Sequence, residues 1–65
     1  MNFNDFVNQF RVAAIKERLA QGEHLQFTLL AIALECGFNS KATFNRVFKK
    51  WEGKTPGQYV AELQK

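Results

Sequence analysis

Apolar residues recur along this chain with a helical period, in blocks separated by glycine. In the first block, Val12, Ile15 and Leu19 form one apolar stripe of a helix from about Asn2 to Gln21. Phe3, Phe6, Val7, Phe10 and Ala14 form a second stripe roughly 160° away. Gly22 ends that helix, and residues 22–28 make a short connection. Thr28 is placed to cap a second helix whose apolar residues Leu29, Ile32, Ala33 and Cys36 keep the period. Gly37 supplies the permissive backbone that stops it after about two turns. Phe38 then plugs the junction, and Asn39 is the candidate N-cap of the next helix, its side-chain oxygen accepting from the amide of Lys41 or Ala42. In that helix Phe44, Val47, Phe48 and Trp51 follow the i, i+3, i+4, i+7 rule, so they share one face, which must be buried. Gly53 and Pro56 separate it from a last helix of about Pro56 to Leu63. The pattern predicts four helices and no strands.

The face opposite Phe44 and Phe48 carries chemistry. Ala42, Arg46 and Lys49 occupy it, with Lys41 and Asn45 on one flank and Thr43 and Lys50 on the other. Arg bonds guanine in a bidentate way and Asn does the same to adenine. Thr touches a thymine methyl or a phosphate, and Ala allows close approach. Lys49 and Lys50, near the helix end, suit phosphates. Any surface helix turns charges outward, so the lysines alone decide nothing. Their distribution does: residues 39–54 hold +4 of a net +3, leaving −1 for the rest of the chain. Two short helices about a glycine turn, the second cationic outside, are the layout of a helix-turn-helix that reads DNA.

At these residues the chain resembles a known family. Ile32-Ala33, Gly37-Phe38, Phe44, Arg46, Phe48-Lys49-Lys50, Gly53, Thr55-Pro56 and Tyr59 match, in order and spacing, the second helix-turn-helix of the AraC/XylS family of bacterial transcription regulators. Upstream, Phe6-Val7-Asn8, Phe10-Arg11-Val12, Lys16 and Leu19 resemble the linker helix that joins that family's two helix-turn-helix subdomains. The resemblance covers nearly the whole chain and implies an all-α fold, a small homeodomain-like helix-turn-helix bundle of about four helices. Its expected parts are a linker-type helix over 1–21, a helix-turn-helix over 28–51 with its recognition helix at about 40–51, and a C-terminal helix over 56–63, within one domain spanning 1–65.

The resemblance also implies roles. The helix beginning near Ser40 would lie in the major groove, with Lys41, Ala42, Asn45 and Arg46 at base-reading positions, Thr43 nearby, and Lys49 and Lys50 on the backbone. Lys54 joins these as a third phosphate-holding lysine. Two departures matter. Ala42 stands where relatives are often polar, which leaves base reading on fewer hydrogen bonds and offers a thymine methyl contact instead. Ala31 stands where relatives commonly carry the Glu of a capping box with Thr28, so Thr28 acts alone in a weaker cap.

A helix with two apolar sides is unusual in a small isolated domain. Either Phe3, Phe6 and Phe10 fold back on the domain's own core or fray, or the chain is a fragment whose aromatic side packed against an upstream helix-turn-helix. The second is favoured, because the resemblance begins at the linker helix and has no upstream half. The expected partners are therefore double-stranded DNA, a missing N-terminal helix-turn-helix, and an effector or sensor portion elsewhere in the polypeptide. The alternative function is a helical protein-interaction module that uses the Phe3, Phe6 and Phe10 face.

Other classes recede. Sixty-five residues make one domain that buries about 60% of its unfolded surface, too small for an obvious catalytic pocket, and no nucleophile is paired with a base. A single cysteine excludes an internal disulfide, and Cys36 on an apolar face reads as core. His24 sits alone in a loop as a solvated side chain, with no second ligand at metal spacing. Gly53-Lys54-Thr55 imitates the end of a P-loop, but Phe48 stands where the upstream glycine belongs and the helix precedes the motif. No enzyme activity and no cofactor are expected. Neither a membrane-length apolar run nor a signal-peptide order is present, so a cytoplasmic segment without membrane contact is expected.

Overall fold

The structure is a computed structural model that describes residues 2–63; the expected bounds reaching Met1 and Lys65 extend outside them. Asn2 opens the first helix, its Oδ1 accepting from the Asp5 amide at 2.8 Å, and α1 runs over Phe3–Ala20. Gly22, at φ 82°, turns the chain into a single 3-10 turn, Glu23–Leu25. The Thr28 hydroxyl accepts from the Ala31 amide at 3.0 Å and starts α2, Leu29–Glu35. With Ala31 unable to reach back, Thr28 caps this helix alone. Gly37, at φ 110°, carries the chain out of α2 in a conformation that side chains with a Cβ rarely adopt.

The cap of the third helix differs from the sequence expectation. Ser40, not Asn39, holds the first turn: its Oγ accepts from the Thr43 amide at 3.2 Å, and α3 occupies Lys41–Glu52. Both residue types cap well, and the choice falls to the one whose backbone is extended immediately before the first helical residue. Gly53, in the left-handed region at φ 78°, closes α3 by donating its N–H to the Lys49 carbonyl. The last helix, α4, Pro56–Leu63, begins with a capping box: Thr55 Oγ1 accepts from the Gln58 amide at 3.2 Å, and Gln58 Oε1 accepts from the Thr55 amide at 3.0 Å. Pro56 fits the first helical position, where a missing N–H costs nothing.

The described residues form four α-helices and no strand. Val12, Ile15 and Leu19 of α1 meet Ile32 and Ala33 of α2 and Phe44, Val47 and Phe48 of α3, with Phe38 closing the core from the turn. Aromatic rings run through it in sequence. Phe38 to Phe44 is 5.6 Å between centroids, Phe44 to Phe48 is 5.9 Å, and Phe48 to Tyr59 of α4 is 5.4 Å, the last two edge to face. Trp51, expected in the buried face, is only half-buried at its margin, with the Lys50 ammonium 5.2 Å from its ring centroid.

The expectation for His24 resolves differently. His24 is half-buried rather than solvated, because the 3-10 turn packs on both α1 and α2, and its Nδ1 is shielded with no hydrogen-bond partner. Phe3, Phe6 and Phe10 do not fold back. They stand 78%, 61% and 71% exposed on the side of α1 away from the core.

Candidate nucleic-acid interface

The third helix owes its outer face to its inner one. Because Phe44, Val47 and Phe48 are fixed in the core, Lys41, Ala42, Asn45, Arg46 and Lys49 are turned to the exterior, and all five are exposed. The four candidate base-reading residues, Lys41, Ala42, Asn45 and Arg46, thus share one exposed surface with Lys49.

The other candidates are engaged within the chain. Thr43 is half-buried, and its Oγ1 accepts from the Ser40 hydroxyl at 3.0 Å. Lys50 is exposed, with its Nζ 3.7 Å from Asp5 of α1. Lys54, in the α3–α4 connection, is half-buried and paired with Glu62. The sequence carried no signal for either lysine pair, because each joins residues of different elements.

Charge pairing divides the basic residues. Lys16 of α1 bonds Glu52 at 3.1 Å and ties the two helices where α3 ends. Arg18 bonds Glu23 at 2.6 Å, Glu35 at 2.9 Å and the Cys36 sulfur at 3.9 Å, fastening α1 to the 3-10 turn and to the end of α2. The hydrogen bonds to Glu23 first, and then to Cys36 and Glu35, push the Arg18 pKa above its already high ordinary value. Among the described residues, Lys41, Arg46 and Lys49 have no carboxylate within bonding distance, and all three lie on the outer face of α3.

Two cavities flank this face. One, of about 370 Å³ and mostly apolar, lies among α2, α3 and α4 and is lined by Leu29, Leu30, Lys41, Phe44, Asn45 and Pro56. The other, of about 390 Å³ and mostly polar, lies between α1 and the turn. Among the described residues no group of three or more His, Cys, Asp or Glu side chains could hold a metal ion, and no helix is long and apolar enough to cross a membrane.

A helix-turn-helix family model, described as a helix-turn-helix domain, matches residues 1–62, and the chain belongs to this AraC-type helix-turn-helix family of DNA-binding transcription regulators. A 34-residue stretch is 50% identical to the ornithine utilization regulator of Pseudomonas aeruginosa, a match that covers 52% of this chain and 10% of that protein. The chain thus spans only a small part of the length of the curated relative it matches. No solved structure gives a significant match.

Proposed function

We infer that this domain binds double-stranded DNA with a sequence preference, as part of a bacterial transcription regulator, by laying α3 in the major groove. The observation that carries the reading is the coincidence of two properties on α3. Its outer face holds three cations with no carboxylate partner among the described residues, Lys41, Arg46 and Lys49, together with Asn45 and the small Ala42. In this reading Arg46 and Asn45 bond base edges, Lys41 reaches a base or the adjoining backbone, and Ala42 lets the helix approach a thymine methyl. Lys49 neutralises a phosphate, while Lys50 and Lys54 take phosphates by leaving Asp5 and Glu62. Thr43 supports the backbone contacts from the flank.

A single reader of this size binds weakly, in the range of about 10⁻⁴ to 10⁻⁶ M set by phosphate contacts. The rest of the regulator supplies an upstream helix-turn-helix and an effector or sensor portion, and the whole acts in the cytoplasm. No catalytic step belongs to this domain. The exposed Phe3, Phe6 and Phe10 side of α1 supports a second, compatible reading, a surface on which another protein segment packs.

The test is an NMR titration of the labelled chain with a short mixed-sequence duplex at low and physiological salt. Salt-sensitive shifts clustered on Lys41 to Lys50 are expected. Shifts confined to Phe6 and Phe10 with added protein segments, and none on α3 with DNA, would leave only the protein-interaction reading.

A further inference from the structure

The polar cavity between α1 and the turn is lined by Asn4, Asn8 and Arg11 of α1, Asn39 of the turn and Thr43 of α3. No carboxylate borders it. Arg11 is half-buried there in a defined pose: one terminal nitrogen donates to Asn8 Oδ1 at 3.3 Å, and its guanidinium lies 5.7 Å from the Phe38 ring centroid. Both partners are neutral, so the Arg11 charge, like those of Lys41, Arg46 and Lys49, meets no acid among the described residues. The contrast with Lys16, Arg18, Lys50 and Lys54, each paired with a carboxylate, is direct.

We propose that this cavity is a second backbone site, in which Arg11 and the side-chain amides of Asn8 and Asn39 receive a phosphodiester oxygen of the DNA that α3 reads. This rests on the DNA reading above and extends it to a wall that the recognition helix does not own. The chemistry fits an anion. A guanidinium positioned by its stem and by ring stacking offers several N–H donors, the amides add neutral donors, and no carboxylate lines the cavity. The location fits a phosphate, since Thr43 contributes to both the cavity and the flank of α3, so the strand bordering the groove that α3 enters passes its mouth. Arg11 holds a backbone position that carries no base information.

The experiment is a salt-dependent titration of the chain with a mixed-sequence duplex, following the Arg11 Nε–H and the Asn8 and Asn39 side-chain amides by NMR, with Arg11→Gln, Arg11→Lys and Lys49→Ala compared to wild type. Loss of one phosphate contact lowers the slope of log K against log salt by about 0.9, so the deficit of Arg11→Gln against wild type should shrink roughly threefold to fourfold between 50 and 200 mM salt. Arg11→Lys should restore most of the slope, which a merely structural loss would not predict. If Arg11→Gln unfolds, the wild-type Nε–H and amide shifts decide alone. Binding with a flattened slope for Lys49→Ala, but an unchanged slope for Arg11→Gln or silent Arg11, Asn8 and Asn39 signals, overturns the second site and leaves the α3 reading standing. A wild-type chain that binds no duplex at either salt overturns both.

Discussion

A Cβ placed on Gly37 would lie 2.8 Å from Nε of Arg11. The Arg11 side chain of the first helix therefore occupies the space a Cβ at Gly37 would take, and it must shift to admit one. Gly37 also stands at φ 110°, so substitution meets both a backbone and a packing penalty. Gly53, at φ 78°, has open space around its missing Cβ and meets only the first. Gly37→Ala should cost about 1–3 kcal/mol and Gly53→Ala about 1–2 kcal/mol, measured by urea unfolding. Equal losses would mean that the Arg11 side chain swings aside freely.

Phe48 and Phe6 offer a contrast of burial. Phe48 is fully buried and touches the rings of Phe44 and Tyr59, whereas Phe6 is 61% exposed. Phe48→Ala should cost about 3–5 kcal/mol, enough to unfold a domain of this size. Phe6→Ala should stay within about 0.5 kcal/mol. Thermal unfolding by circular dichroism measures both, and a strongly destabilised Phe6→Ala would show that the aromatic side of α1 carries part of the fold.

For the proposed DNA reading, Arg46→Ala should weaken the preferred duplex by about 1–3 kcal/mol and random duplex by less. Lys49→Ala should weaken all sequences alike and lower the salt slope by about one. Competition binding on a duplex selected from a random pool separates the two. Equal losses on preferred and random DNA for Arg46→Ala would count against base reading.

In the proposed DNA reading, Asp5 competes with DNA for Lys50. The pair is 3.7 Å apart and partly exposed, so it contributes little to stability, within about 1 kcal/mol. Asp5→Asn should release Lys50 and remove a negative charge beside α3, which strengthens duplex binding at low salt with little change in melting temperature. Fluorescence anisotropy at two salt concentrations checks this, and a weaker or unchanged Asp5→Asn complex would place Lys50 away from the phosphates.

The helices were legible in the chain because their signals are local. Thr28 caps, Gly37 turns, and Phe44, Val47 and Phe48 repeat every three or four residues, each acting over one turn of backbone. The exposed set on α3 followed from the same period. What escaped depends on tertiary placement. The pairs of Lys50 with Asp5, Lys54 with Glu62 and Arg18 with Glu35 bring together residues that no periodicity relates. The shielding of His24 depends on where a 3-10 turn is pressed by its neighbours. Asn39 and Ser40 are adjacent and equally able caps, and only the backbone entering α3 distinguishes them. The capping box of Thr55 and Gln58 was legible from spacing alone, although the start of the last helix was read only from Gly53 and Pro56. Arg11 was visible only as part of a resemblance, since its cavity is made by three separate elements.

The run of rings from Phe38 through Phe44 and Phe48 to Tyr59 has a consequence for recognition. Tilted and edge-on rings interlock, so α3 cannot roll about its own axis by even one residue, about 100°, without separating Phe44 from Phe38 of the turn and Phe48 from Tyr59 of α4. The orientation of Asn45 and Arg46 is then settled during folding, before any partner arrives. If α3 reads DNA as proposed, it does so as a rigid template, and binding would forfeit little backbone freedom, leaving the ordering cost to a few surface side chains.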